Sequence, residues 1–442
     1  MDTIILTPGE KIRAIRSVYN LKQQELCGSD LSRSMISMLE SDKCVLAEST
    51  AKILINNLNK VCSDRGIDCG ISLEYLLESV EIQAENIAKD FLSHIDRNPN
   101  KILDGDFQKS LREIIFILDK YNLKDCKAII YKKLADYYKQ NYDYSKAYSY
   151  YLSSFENHIN LFNNINIIKL ILCINYCCGK LNKYKELLEF NSLARIYMPN
   201  MPSNESFSIS YNNILAYKKL KKYDQAICSI MKLEESFKDI LDNNLVKKIN
   251  LLVLKGNCYI ELKSFAEALD IHREALELAK YNLELTLLPY LNIIDIYIKL
   301  NDKKNLKIAL ADCLPLVKEY DKFEFQNYLP SFYYHISEGL YLLKDYDESK
   351  VYLNLALSKS KKYKNISILE KSIDKLLSVY ISENNKNEIN SLKNEFLQLI
   401  STNLISSESL LTFKFIKYYI DINDCTSASH ITNFIIWKNQ SE

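Results

Sequence analysis

Gly256-Asn257-Cys258-Tyr259, Lys263-Ser264-Phe265-Ala266-Glu267-Ala268 and Ala275-Leu276-Glu277-Leu278 follow one another inside the run from Asn250 to Lys280. Apolar residues recur there at helical spacing on both sides of Lys263-Ser264, which predicts two helices joined by a short turn. Gly256, Ala268 and Ala275 are small, so two antiparallel helices can cross closely at those positions. Tyr259 and Phe265 are large and are placed to fill the gaps between one helical pair and the next.

The same template recurs along the chain. Ala135, Tyr138, Tyr144, Ala147 and Ser154 make one copy; Asn175, Tyr184 and Ala194 make the next, closed by Pro199. Tyr217, Tyr223 and Ala226 follow, and beyond the strongest copy come Tyr297, Leu306 and Cys313, then Ser337, Tyr346, Ser349 and Ala356. Weaker copies centre on Tyr380 with Phe396 and on Tyr419 with Ala428. The marker residues Tyr144, Tyr184, Tyr223, Phe265, Lys303 and Tyr346 are 40, 39, 42, 38 and 43 residues apart. The pattern resembles the tetratricopeptide consensus, with a helical hairpin slightly longer than usual. That resemblance implies a right-handed superhelix of hairpins with an extended concave surface.

Composition agrees with an all-α array. At 442 residues the chain is too long for one core, and its 8 Gly and 7 Pro are too few for hairpin-rich or phosphate-loop folds. A net charge of +1 creates no global field for nucleic acid or membrane, so any such affinity must be local. The 12 cysteines lack C-x-x-C spacing and occupy apolar helix positions such as Cys173, Cys258 and Cys313, so reduced thiols in a reducing cytoplasm are expected. Met-Asp-Thr-Ile-Ile-Leu-Thr-Pro has neither a basic start nor a long apolar core, and no signal peptide is expected. Ile165 to Cys178 is the most apolar stretch, but Asn166, Lys169 and Asn175 interrupt it, so no membrane span is expected.

Residues 1–66 carry a different pattern. Helices are expected from Pro8 to Val18, from near Lys22 to Cys27, from Ser32 to Leu39 and from Leu46 to Cys62, with a turn at Gly28-Ser29-Asp30. A short helix, a tight Gly-containing turn and a second helix form the helix-turn-helix unit. Ile36 and Leu39 point inward while Ser32, Arg33, Ser34 and Ser37 point outward, where short polar side chains and an Arg can reach base edges. Gln23 and Ser32 are placed to bond phosphates, and Lys43 follows the reading helix. Lys22-Gln23-Gln24-Glu25-Leu26-Cys27 followed by Leu31-Ser32-Arg33-Ser34-Met35-Ile36-Ser37-Met38-Leu39-Glu40-Ser41-Asp42-Lys43 resembles the Xre/Cro-type repressor head. Its inter-helix turn is shorter than the family's, and Ser41-Asp42 stands where that family has x-Gly. With nine Lys/Arg against eight Asp/Glu, one head is expected to bind DNA weakly. Lys11, Arg13, Arg16, Lys22, Arg33 and Lys43 are expected to share a face, and two heads on two half-sites are expected.

Residues 67–101 read as a linker helix, continuous over 72–97, after a hinge between Cys62 and Gly70. Residues 102–442 read as the array with its C-terminal caps, where Trp437 packs or marks a dimer contact. In the resembled repeats the first helix of each hairpin faces the concave surface. The positions so placed include Tyr211, Asn212 and Lys218, then Asn250, Leu254 and Asn257, then Asn292, Asp295 and Lys299, then Tyr334, His335 and Glu338. Asn can bond both the N–H and the C=O of an extended peptide, and Tyr211, Leu254 and Tyr334 would then supply specificity. The whole chain is Asn-rich, so composition alone is the other account of that row; His335 reads as a satisfied groove or interface residue rather than a metal or catalytic one.

A head of this type on such an array resembles the RRNPP family of Gram-positive quorum-sensing regulators. What this implies is a cytoplasmic homodimer that binds a double-stranded DNA operator and a short signalling peptide, in a programme such as sporulation or toxin expression. A Rap-like protein that binds a response regulator, and a dimeric repressor that needs no peptide, are the alternatives. No catalytic residue, metal site or cofactor is expected, because no Gly-rich loop, nucleophile elbow, zinc spacing or paired carboxylates occur.

Overall fold

In the computed structural model, residues 4–323 and 328–440 are described. The reading of the extreme N-terminus therefore lies partly outside the described residues. All regular structure among them is helical, without strands. The chain divides into two compact units, residues 1–216 and 217–442.

The first unit opens with α1 (Pro8–Val18), a 3-10 turn (Gln23–Leu26), α2 (Arg33–Glu40) and α3 (Glu48–Asp64). Thr7 and Glu10 form a reciprocal capping box at the start of α1, with Pro8 in the first turn. The expected second helix is only the 3-10 turn, since Gly28 at φ +56° ends it after Leu26 and Cys27. Ile12, Ile15, Leu26, Ile36, Leu39, Ala51, Leu54 and Leu58 form the core of these helices, and Cys69 and Leu76 belong to it as well.

The helix expected over 72–97 is two, α4 (Leu73–Leu77) and α5 (Val80–Arg97), because Ser79 caps a new helix through Ile82 N. Nor is the stretch from Cys62 to Gly70 a bare hinge. Cys62 and Cys69 form a disulfide with Cα atoms 6.2 Å apart, which corrects the expectation that every thiol is free. The Tyr19 hydroxyl also donates to Cys69 O at 3.2 Å, and Leu6 and Gln83 exchange hydrogen bonds.

After a 3-10 turn (Pro99–Leu103) and α6 (Gly105–Lys120) come antiparallel hairpins. In the first unit these are α7 (Lys124–Gln140) with α8 (Tyr144–Asn157) and α9 (Ile165–Lys180) with α10 (Tyr184–Tyr197), followed by α11 (Ser203–Lys219), whose last three residues already belong to the second unit. The second unit holds α12 (Tyr223–Ser236), the short α13 (Lys238–Asp242), α14 (Leu245–Glu261) with α15 (Phe265–Ala279), and α16 (Leu283–Leu300) with α17 (Lys303–Tyr320). It continues with α18 (Leu329–Leu342) and α19 (Tyr346–Lys362), α20 (Ile366–Ser382) and α21 (Lys386–Ser401), and α22 (Leu410–Asp421) and α23 (Cys425–Gln440).

The register follows the sequence template. Tyr144, Tyr184, Tyr223, Phe265, Lys303 and Tyr346 each begin the second helix of a pair. Ala147, Ala226 and Ala268, on the crossing face, are fully buried, as are Ala194, Ala275, Cys313 and Ala356. Gly256 shows why a small residue is needed. A Cβ there would lie 2.6 Å from His272 Nε2, so the imidazole occupies the space that the glycine leaves.

The turns solve a problem posed by the shortage of glycine. Each reversal needs a left-handed residue, and Tyr142, Asn182, Lys221, Lys263, Asn301, Lys344, Asn384 and Asn423 take that role at φ between 52° and 67°. The residue after it often caps the next helix. Asp143, Asp302, Asp345, Asn385 and Asp424 accept from backbone N–H groups two or three residues into α8, α17, α19, α21 and α23. No helix of the described residues is long and apolar enough to cross a membrane.

Candidate functional sites

The head presents one polar helix face on a fixed scaffold. Ser32 caps α2 by accepting from Met35 N at 3.2 Å, which sets where the helix begins. Ser32, Arg33, Ser34 and Ser37 are exposed on its first turns, while Ile36 and Leu39 are buried beneath. Ser32 Oγ lies 2.8 Å from Ser34 Oγ, and Arg33 makes no hydrogen bond or ion pair among the described residues. Lys43 is exposed after the helix.

Behind that face lies a buried charge network. Glu40 is 3% exposed and accepts from Arg16 Nε at 2.6 Å and from Gln23 Nε2 at 2.8 Å, while Arg13 donates to Glu40 O. Burial alone would raise the Glu40 carboxyl, but the bonds from Arg16 and Gln23 prevail and hold it below the ordinary value. Gln23 thus spends its amide nitrogen on Glu40, which differs from the expected free donor to a phosphate. The expected six-residue basic face is also reduced. Lys11 is 1% exposed and donates to Tyr75 O and Glu78 O, and the half-buried Arg16 is taken by the Glu40 carboxylate, leaving Arg13, Lys22, Arg33 and Lys43 exposed.

The Ser41-Asp42 departure has a local cause. Asp42 takes the left-handed conformation at φ 54°, and its carboxylate accepts from Gly9 N at 3.0 Å and from the Thr7 hydroxyl. Gly9 itself leaves no room for a side chain, since a Cβ would sit 2.2 Å from Leu39 O. The start of α1 is thereby clamped to the end of α2.

The array residues fall into two groups. In the first unit Tyr211 stacks on Phe207 at 6.0 Å, and Asn212 is half-buried with no hydrogen bond among the described residues. The neighbouring Asn213 is the engaged amide. Asn175 donates to Asn191 at 2.5 Å and Asn191 donates to Asn213 at 2.6 Å, a buried ladder that ties α9, α10 and α11 together. Sequence reading missed it because Asn213 is one residue out of phase with the inward row.

In the second unit Asn250 is exposed and lines a cavity of about 250 Å³ with Val246, Ile249, Val253 and Phe332. Leu254 is 6% exposed, so burial removes it from the expected specificity surface. Asn257 is half-buried. The remaining expected residues come together. Asp295 pairs with Lys299 at 2.8 Å, the Tyr334 hydroxyl donates to Glu338 at 3.2 Å, and the Tyr334 and His335 rings meet edge to face at 5.7 Å. Burial lowers the His335 pKa and outweighs the opposing pull of Asp295 and Glu338, so the imidazole is neutral. His335 Nδ1 and Asn292 Nδ2 are buried without a hydrogen-bond partner among the described residues. Lys371 and Lys375 of α20 complete this face and lie over the Tyr334 and Tyr341 rings at 5.9 and 4.2 Å. The sequence template was weak in that repeat, so neither lysine was singled out.

A second buried polar group has no place in the expected row. His272 is fully buried with both ring nitrogens unpartnered, and burial, helped by Lys218, pulls its pKa down to about 4. Lys218 itself, expected on the concave surface, is largely withdrawn from solvent, and burial lowers its pKa. No group of three or more potential metal ligands occurs among the described residues.

No family model matches the chain, and no curated protein matches it. Among solved structures, the apo form of the quorum sensor NprR from B. thuringiensis is similar, with 15% identity, TM-score 0.48, and coverage of 81% of this chain and 99% of that one. A Rap protein complexed with Competence and Sporulation Factor has 12% identity and TM-score 0.39 over 98% of this chain and 99% of that one. A tetratricopeptide repeat protein from Parabacteroides merdae has 13% identity and TM-score 0.44, covering 65% and 99%. At these identities and scores the likeness says nothing about what this chain binds.

Proposed function

We propose that the chain is a DNA-binding regulator of the RRNPP type, reading an operator with α2 and sensing a short peptide with its hairpin array. The observation that carries the first half is the exposed polar face of α2. Ser32, Arg33, Ser34 and Ser37 stand outward with the Arg33 guanidinium unspent, on helices held by buried ties at Glu40, Asp42 and Lys11. A rigid helix with a free Arg at its first turn suits insertion into a major groove. The second half is supported by the unsatisfied Asn292 and His335 beside Tyr334 and Asp295.

Of the six basic residues, Arg13, Lys22, Arg33 and Lys43 are exposed, a small cationic face for one head, so a single head should bind weakly and a homodimer on two half-sites is the working form. Selection of duplexes from random DNA tests the head. The wild-type protein should enrich one paired half-site sequence, and Arg33→Ala should lose that enrichment with an unchanged melting temperature. A wild-type protein that enriches no sequence, or an Arg33→Ala protein that enriches the same one, contradicts the reading.

A further inference from the structure

The outward face of α2 holds one side chain to which its polar chemistry gives no role. Met38 is 46% exposed and lies one helical turn after Ser34, on the side that carries Arg33, Ser34 and Ser37. The helix's other methionine, Met35, packs against the core of the head, whereas Met38 takes no part in that core. At about 100° per residue, the exposed positions run around the helix in the order Arg33, Ser37, Ser41, Ser34 and Met38. The centre of the face is therefore three serines, with one long side chain at either edge. Short side chains let the helix backbone come close to a groove floor, and reach toward base edges then falls to Arg33 and Met38. The serine hydroxyls are partly spent as well. Ser41 Oγ donates to Ser37 O at 2.8 Å and to Met38 O at 3.2 Å, and Ser32 and Ser34 share one hydrogen bond.

A thioether chain carries no charge and donates no hydrogen bond, so it has nothing to offer a phosphate and little to offer a polar base edge. In the major groove one apolar group faces an incoming side chain, the C5-methyl of thymine. Methionine is unbranched and polarisable, so it can settle against a methyl without a fixed geometry. Resting on the DNA-binding reading above, we infer that Met38 is a specificity residue of the head, reading the C5-methyl of one thymine in each half-site. It complements Arg33, whose guanidinium suits the paired acceptors of guanine. Removing one methyl and the thioether surface under it from water changes affinity on the order of fourfold.

The duplex selected by the full-length chain supplies the test. Each thymine of one half-site is replaced in turn by deoxyuridine, which removes the C5-methyl and leaves every hydrogen-bonding group in place. Binding of the full-length chain to each duplex is then measured by fluorescence anisotropy. At one or more positions the replacement should weaken the wild-type protein about fourfold. Met38→Ala should bind the thymine duplex more weakly by a similar factor and lose the distinction at one of those positions, whereas Met38→Leu should keep it. Both variants should melt with the wild type, because Met38 is exposed and lies outside the core of the head. A selected half-site without thymine, a wild-type protein indifferent to deoxyuridine at every position, or a Met38→Ala protein that discriminates as the wild type does overturns this inference alone. A selection that enriches no sequence overturns the DNA-binding reading and this inference with it.

Discussion

Glu40, Gly256 and His272 show how single residues commit this chain to its fold. Glu40 is buried and takes both Arg16 and Gln23, so Glu40→Ala leaves an unpaired guanidinium and should cost the head about 3 kcal/mol. Urea unfolding followed in the head would show it, and an unchanged midpoint would refute the network's role. Gly256→Ala should cost about 1–3 kcal/mol through the clash with His272 Nε2, and the cost should shrink in a His272→Ala background. His272 also predicts a pH effect. Its folded pKa of about 4 lies below the ordinary 6.5, so between those values the unfolded chain binds the extra proton. Stability is therefore full above pH 6.5 and falls as pH drops toward 4, by on the order of 3 kcal/mol. Glu40 adds a loss of the same sign below its ordinary value of 4.5, since its folded pKa is lowered. Urea midpoints at pH 7 and pH 5 should differ in the wild type and converge in His272→Leu; equal wild-type midpoints would refute the assignment. Of these residues only Gly256 was legible in the sequence, as a small residue at a crossing. What fills the space beside it comes from another helix, and periodicity does not report that.

At the scale of elements, the helices and their register were legible because the repeat places an aromatic, a small residue and a turn at fixed intervals. The markers from Tyr144 to Tyr346 fall on the first residues of their helices. The break at Glu78-Ser79 was not legible because the Ser79 cap competes with a continuous apolar pattern, and the 3-10 turn at Gln23–Leu26 was not because apolar spacing does not report how early the left-handed Gly28 ends the helix. The left-handed turns carry the next prediction. Lys263 at φ 62° and Lys344 at φ 67° hold a conformation that costs side-chain-bearing residues about 1–2 kcal/mol. Lys263→Gly and Lys344→Gly should each stabilise the array by up to about 1 kcal/mol, after the glycine's extra unfolded-state freedom is subtracted. Thermal unfolding checks this, and a lower melting temperature in both variants would contradict it.

For the whole molecule, the candidate sites divide by how local they are. The face of α2 was legible as a contiguous motif, and the structure leaves Ser32, Arg33, Ser34 and Ser37 exposed as that motif requires. The basic surface around it was not, because the withdrawal of Lys11 and Arg16 is decided by partners at Glu40, Tyr75 and Glu78. In the array, Asp295, Tyr334 and His335 converge, whereas Leu254 is buried and Asn250 belongs to a separate cavity. The proposed regulation links the two sites thermodynamically: a peptide that prefers one arrangement of the protein must shift DNA affinity, and DNA must shift peptide affinity by the same factor. The decisive measurement is a duplex-binding isotherm, on the selected operator, with and without a saturating peptide that the full-length chain retains from a random pool. The account predicts a change in dissociation constant of about fivefold or more, with the reciprocal change in peptide affinity. Superimposable isotherms at peptide saturation would contradict it.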